Sequence, residues 1–77
     1  MKFKIKDIGI MSGGPLVAVM NHHDAMKLDL HVMDRLKIKK GKKIETVVLD
    51  ISQNENIIPK GCIGLFAEVL KSLKLKN

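Results

Sequence analysis

The sequence predicts a small domain that is mostly β, with two short helices, arranged as a small β-barrel of two pseudo-repeated halves. Residues 30–38 (LHVMDRLKI) run from a short helix through a turn into a strand, and residues 60–70 (KGCIGLFAEVL) run from a glycine turn through a short strand into a helix. Residues 24–30 resemble residues 68–75, which gives a repeat period of roughly 45 residues. Each copy follows an apolar strand. We therefore expect two strand–helix–strand halves packed around a pseudo-twofold axis.

Length and cysteine content limit the classes of protein. The 77 residues make one domain, residues 1–77, close to the lower limit for a core without disulfides or metals. Cys62 is the single cysteine, which excludes an internal disulfide and metal sites built on cysteine pairs, and we expect it to be a small buried hydrophobe. No segment has the roughly 18–20 apolar residues of a membrane span, and the alternating N-terminus lacks the apolar core of a signal peptide. The sequence predicts a cytoplasmic protein.

The first half of the chain predicts two strands, a helix and a third strand. Residues 2–10 predict a strand, in which lysine alternates with apolar residues up to Lys6 and the phase changes near Asp7. The Met-Ser-Gly-Gly-Pro segment at 11–15 predicts a turn, and the apolar run 16–20 predicts a strand buried on both faces. We expect the first two strands to form a long hairpin. Asn21 is a favourable N-cap for a helix over about residues 22–28.

The second half repeats this order after the third strand of the first half, residues 35–39, and a turn at 40–42. It predicts, in sequence, a long β-branched strand 43–52, an exposed loop 53–56, a short buried strand 62–65 and a helix 66–72. By the repeat, a further strand matching residues 35–39 should follow the second helix, whereas the sequence given ends at Asn77. We expect either a piece of a longer protein or a barrel that lacks its last strand.

The charge of the chain gives weak support for nucleic-acid binding. The formal net charge is +6, from 13 lysines and one arginine against eight acidic residues. Arginine makes the bidentate contacts to guanine, and only Arg35 is present. Phe3 and Phe66 are the only aromatic residues besides the histidines, so stacking platforms for single strands are missing. Lysines spread along strands are typical of a solvated face that protects edge strands.

No catalytic, cofactor-binding or metal-binding residue is predicted. His22 and His23 beside Asp24 form the one cluster of metal-ligand type, but adjacent helical residues point about 100° apart, so we expect two polar residues in a first helical turn rather than a metal site. The Ser12-Gly13 segment and Gly14 resemble part of a phosphate-binding loop, yet Pro15 and a strand follow instead of a helix. No general base is placed beside a serine.

Two motifs carry a resemblance to a known family. Leu30-His31 and Asp34 precede a strand, and residues 60–65 place two glycines around an apolar pair ahead of a helix. In these motifs, and over nearly its whole length, the chain resembles the N-terminal domain of archaeal AMP phosphorylases, relatives of thymidine phosphorylase. Val32 departs from the family, in which proline is usual at this position.

The resemblance implies a cradle-loop or double-psi β-barrel that serves as the N-terminal accessory domain of a longer enzyme. The full enzyme would convert AMP and phosphate to adenine and ribose 1,5-bisphosphate, with its substrate sites in later domains. The resemblance implies that the domain takes part in assembly with other domains and subunits of the parent enzyme, as a homo-oligomer. It carries no catalytic residue onto this chain, so this domain alone is not expected to be an enzyme.

The alternative is a free-standing barrel that binds a partner. Bacterial transition-state regulators, which bind DNA, and the N-terminal adaptor-binding domains of AAA-ATPases contain similar short patterns. The two alternatives predict different properties, because a DNA-binding barrel loses affinity as salt rises.

Overall fold

The structure is a computed structural model that describes residues 3–73. It is mostly β with two short helices, as predicted. In chain order the elements are β1 Lys4–Asp7, β2 Val17–Asn21, α1 His22–Lys27, β3 Arg35–Lys40, β4 Lys43–Ser52, β5 Cys62–Leu65 and α2 Ala67–Ser72.

The five strands form one sheet that curls into a half-barrel, in the order β1-β5-β2-β4-β3. β3 and β4 form a tight hairpin in which Lys40 pairs with Lys43, and Gly41 takes the positive φ of +61° that the turn requires. The prediction that β1 and β2 form a hairpin is wrong. β5 lies between them, so the 8–16 segment crosses over β5 rather than turning back beside β1.

The pairing pattern shows the two interleaved halves that the repeat predicts. β1 pairs in parallel with β5, β4 pairs in parallel with β2, and β2 and β5 pair antiparallel at the centre. Exchanging β1 with β4 and β2 with β5 reproduces these three pairings, and the central register is symmetric about Val19 and Gly64. Each half therefore has a connection that crosses one strand of the other half, as in a double-psi barrel.

One strand of this symmetric scheme has no counterpart in the described residues. β3 pairs antiparallel with β4, so the same symmetry calls for a strand antiparallel to β1 on its outer side. Within residues 3–73, β1 pairs with β5 alone and β3 pairs with β4 alone. The two edges of the half-barrel are therefore β1 and β3.

The core lies between the sheet and the two helices. Its buried side chains come from every strand except the two edges, and from both helices: Ala18, Met20, Ala25, Val47, Leu49, Ile63, Leu65, Val69, Leu70 and Leu73. Cys62 is half-buried rather than buried. Met20 is buried in this core, whereas Met26 and Met33 are 75% and 72% exposed.

Gly64 marks the close backbone approach that its place in a short apolar strand predicts. A Cβ at this position would lie 2.6 Å from the Cδ1 atom of Ile58 and 3.0 Å from that of Ile8. The absence of a side chain at residue 64 thus lets Ile58 pack directly on β5. Neither helix of the described residues is long and apolar enough to cross a membrane.

Candidate functional site

The loop between β1 and β2 binds a carboxylate of its own chain. The N–H groups of Ser12, Gly13 and Gly14 all point at the Glu68 carboxylate of α2, with N···O distances of 3.0, 2.9 and 3.3 Å. Successive amides converging on one anion are the geometry by which backbone loops bind phosphate. This segment therefore has the backbone geometry of a phosphate-binding loop, but the anion that it binds is the carboxylate of Glu68.

These hydrogen bonds perturb the acidity of Glu68. The N–H group of Ser12 makes the largest contribution, followed by the amide of Glu68 itself and those of Gly13 and Gly14, and together they lower the pKa of Glu68 from 4.5 to about 2. A carboxyl whose pKa is lower in the folded state contributes stability that is fully present above its unfolded pKa. That stability is lost as the pH falls through the folded pKa, here between about pH 4.5 and pH 2.

We predict that Glu68→Gln removes this pH dependence. Wild-type chain should lose stability between pH 5 and pH 2 more steeply than the variant, because glutamine keeps the shape of the side chain but has no charge to titrate. Urea midpoints measured at half-unit pH steps check this, with Glu45→Gln in β4 as the matched control. Equal pH slopes for wild type and Glu68→Gln would contradict the assignment.

Helix α1 makes the equivalent contact, from a carboxylate in the first half of the chain to a turn in the second half. The Asp24 carboxylate of α1 accepts a hydrogen bond of 2.8 Å from the N–H group of Gly61, in the turn that precedes β5. Asp24 and Glu68 are the residues that the internal repeat aligns, and each lies in the first turn of its helix. Each helix thus holds the glycine turn of the opposite half, which fixes the two halves against each other.

The Asn21 side chain connects the start of α1 to the loop between β4 and β5. Its side chain is fully buried; the Oδ1 atom accepts from the His23 N–H at 2.8 Å, and the Nδ2 atom donates to the Ile58 carbonyl at 2.8 Å. The predicted N-cap is confirmed. The hydrogen bond to Ile58 joins residues 37 positions apart, so local sequence could not predict it. The contacts of Glu68, Asp24 and Asn21 are therefore structural.

An apolar groove lies between the two edges of the half-barrel. This groove, of about 560 Å³, is lined by Phe3 and Ile5 on the β1 side and by Leu36 and Ile38 on the β3 side. Its remaining lining comes from Met20 and Ile63 in the sheet, Leu28 and Leu30 after α1, and Lys37, Lys39, Lys40 and Gly41 at the β3 rim. Among the described residues its lining contains lysines but no acidic residue, histidine, cysteine or serine, so its chemistry is that of apolar burial.

The edge of β1 that borders the groove presents backbone hydrogen-bonding groups. The N–H groups of Lys4 and Ile8 donate to the β5 side, to Gly61 and Leu65. Because alternate residues of a strand face opposite neighbours, the Ile5 amide points the other way, toward the groove. An extended segment laid in the groove could therefore bury apolar side chains and hydrogen-bond to β1 at the same time.

A cluster of side chains that could bind a metal ion lies at the N-terminal end of α1. His22, His23 and Glu55 each place one donor atom within 4.8 Å of the others, and the two imidazole rings lie 4.0 Å apart. The 100° between adjacent helical positions does not keep the two rings apart here, because the side chains of His22 and His23 extend toward each other. Asp24, the expected third member, instead binds Gly61.

The serine hydroxyls for which the structure shows a hydrogen bond donate to carbonyl groups two or three residues away. The Ser12 hydroxyl donates to the Pro15 carbonyl, and the Ser52 hydroxyl donates to the Asn54 carbonyl at 3.3 Å. Asp34 stabilises its turn as expected, since its carboxylate accepts from the His31 N–H at 2.8 Å. None of these contacts joins a nucleophile to a base.

Comparisons with protein-family models and with curated proteins found no match to this chain. The likeness to AMP phosphorylases therefore depends on the motifs alone and stays a prediction.

Proposed function

We propose that this domain is a non-catalytic assembly module, and that its parent is a cytoplasmic nucleotide phosphorylase of the archaeal AMP phosphorylase type. In that enzyme other domains would convert AMP and phosphate to adenine and ribose 1,5-bisphosphate. The module would join the domains and subunits of a homo-oligomer by receiving a β-strand in the groove between β1 and β3.

The observation that carries the proposal is that no strand of residues 3–73 lies on the outer side of β1. The pairing symmetry calls for a strand antiparallel to β1, and the apolar groove lies where that strand would pack. Ile5 is 40% exposed although it lines this groove. Adding a strand to an exposed sheet edge is a common mode of recognition, in which backbone bonds give affinity and alternate side chains give specificity.

The character of the groove limits what can occupy it. Its walls are apolar, so alternate residues of the added strand should be apolar, while the lysines at its β3 rim favour a strand without lysine on its outer face. Two copies of this chain, each with a net charge of +6, repel each other. Association between copies should therefore strengthen as salt screens that repulsion, over a Debye length of about 10 Å at 0.1 M.

Sedimentation velocity of the chain over a range of protein concentrations tests the assembly role. We expect association at high concentration and predict that Ile5→Lys weakens it by roughly tenfold or more, because an ammonium group without a partner is costly to bury. Ile57→Lys is the matched control, since Ile57 is similarly exposed at 49% but does not line the groove. A monomer at every concentration, or equal effects of the two substitutions, would contradict the proposal.

Two further measurements separate the parent enzyme from the binding alternatives. A reading frame that continues for several hundred codons past Asn77 would support a phosphorylase, whereas the purified chain itself should not consume AMP. Salt distinguishes DNA binding, because retention of DNA weakens as salt rises while association of basic copies strengthens. Tight DNA binding at physiological salt would favour the regulator-type alternative instead.

A further inference from the structure

The fold brings two histidines and a glutamate together at the end of two parallel strands. β2 and β4 are parallel neighbours whose last paired residues are Asn21 and Ser52. The chain leaves β2 directly into α1, which begins with His22 and His23, and leaves β4 into the loop that contains Glu55. The topology therefore places these three side chains together where β2 and β4 end, although Glu55 lies more than 30 positions from the two histidines in sequence.

We propose that His22, His23 and Glu55 form a binding site for a divalent transition-metal ion of the Zn²⁺ type. Imidazole nitrogen and carboxylate oxygen are ligands that zinc accepts, and two histidines with one glutamate form a known three-ligand zinc set. Three protein ligands leave a fourth position for water or an external ligand. The site is independent of the assembly role.

The distances suit a site that closes around the ion. Zinc–nitrogen and zinc–oxygen bonds of about 2.0–2.2 Å place the donor atoms of a tetrahedral site roughly 3.4 Å apart. The His23 Nε2 and Glu55 Oε1 atoms are already 3.5 Å apart, and all three donors lie within 4.8 Å. Both side chains are about half exposed, at 47% and 53%, so small rotations can bring the donors to bonding distance.

Without a metal, this contact is worth little. An exposed ion pair contributes little to stability. A bound metal ion would add bonds that attach the 53–56 loop to α1. Lys27 and Lys60, which with Asp24 line the adjoining depression, lower the affinity for any cation but do not occupy the cluster.

Isothermal titration calorimetry with zinc chloride at pH 7.5 tests the site, on untagged chain because a polyhistidine tag would itself bind zinc. We expect one ion per chain, with affinity lowered tenfold or more by His23→Asn and by Glu55→Gln, since losing even an outer-shell partner of a metal commonly costs 10–100-fold. Zinc should also raise the melting temperature of wild type and not of Glu55→Gln. Circular dichroism confirms that the exposed substitutions leave the fold intact.

His31→Asn is the matched control for the calorimetry. His31 is an exposed histidine that lies 3.9 Å from Asp29 and 3.7 Å from Asp34, and it is not part of the cluster. We expect this variant to bind zinc as wild type does. No binding by wild type, loss of binding in His31→Asn, or unchanged binding in both His23→Asn and Glu55→Gln would overturn the proposal.

Discussion

Replacing Asn21 by alanine is expected to lower the free energy of unfolding by about 2–4 kcal/mol. The change removes the N-cap of α1, and it leaves the buried carbonyl of Ile58 without a donor. A domain of this size has a total stability of roughly 4–12 kcal/mol, so the loss is a large part of it. Urea unfolding followed by circular dichroism measures the effect.

Two variants separate the causes of this loss. Asn21→Asp keeps an oxygen for the His23 N–H but cannot donate to Ile58 and buries a charge, so it should be destabilising as well. Asn56→Ala applies the same truncation to an exposed asparagine and should change stability by no more than about 0.5 kcal/mol. A cost below about 1 kcal/mol for Asn21→Ala would show that the buried bonds contribute little.

Ile58→Ala is expected to cost about 2–5 kcal/mol, because it leaves a cavity in a fully buried place. Ile58 comes from the loop between β4 and β5, and its Cδ1 atom lies against the bare backbone of Gly64. The side chain therefore closes the space that the missing Cβ of Gly64 leaves open. Urea unfolding again gives the free energy.

The neighbouring residue provides the control for this prediction. Ile57→Ala removes the same atoms from a side chain that is 49% exposed, so we expect a cost of about 0.5 kcal/mol or less. The two isoleucines are adjacent in sequence and differ only in the direction they face. Similar costs for both substitutions would mean that the loop does not pack on β5 as described.

Local signals in the sequence were enough to find the elements. Residues 62–65 and 43–52 were predicted as strands, and both match the observed bounds of β5 and β4. Asn21 begins α1 as its capping chemistry predicts. Strand pairing is different, because it depends on contacts between distant residues. A turn signal such as Ser12–Pro15 suits a hairpin and a crossover equally well, so the insertion of β5 between β1 and β2 was missed.

The candidate sites were less predictable for the same reason. Glu68 lies more than 50 positions from the loop that it binds, and the groove combines residues from β1 and β3. The repeat did align Asp24 with Glu68, which was a signal that both carboxylates have equivalent roles. Helix geometry fixes the directions in which the two histidine side chains leave the backbone, but not their rotamers, and it gives no information on Glu55, which comes from a distant loop.

Hydrogen exchange at the Ile5 amide tests the central claim, that the open edge of the half-barrel receives a strand. The Ile5 amide points to the groove, whereas the Lys4 amide is already bonded to Gly61 and serves as the internal reference. Exchange at Ile5 should slow by roughly tenfold or more when the chain associates at high concentration, with Lys4 protected throughout. Association that leaves the Ile5 exchange rate unchanged would contradict the claim, because the copies would then meet at another surface.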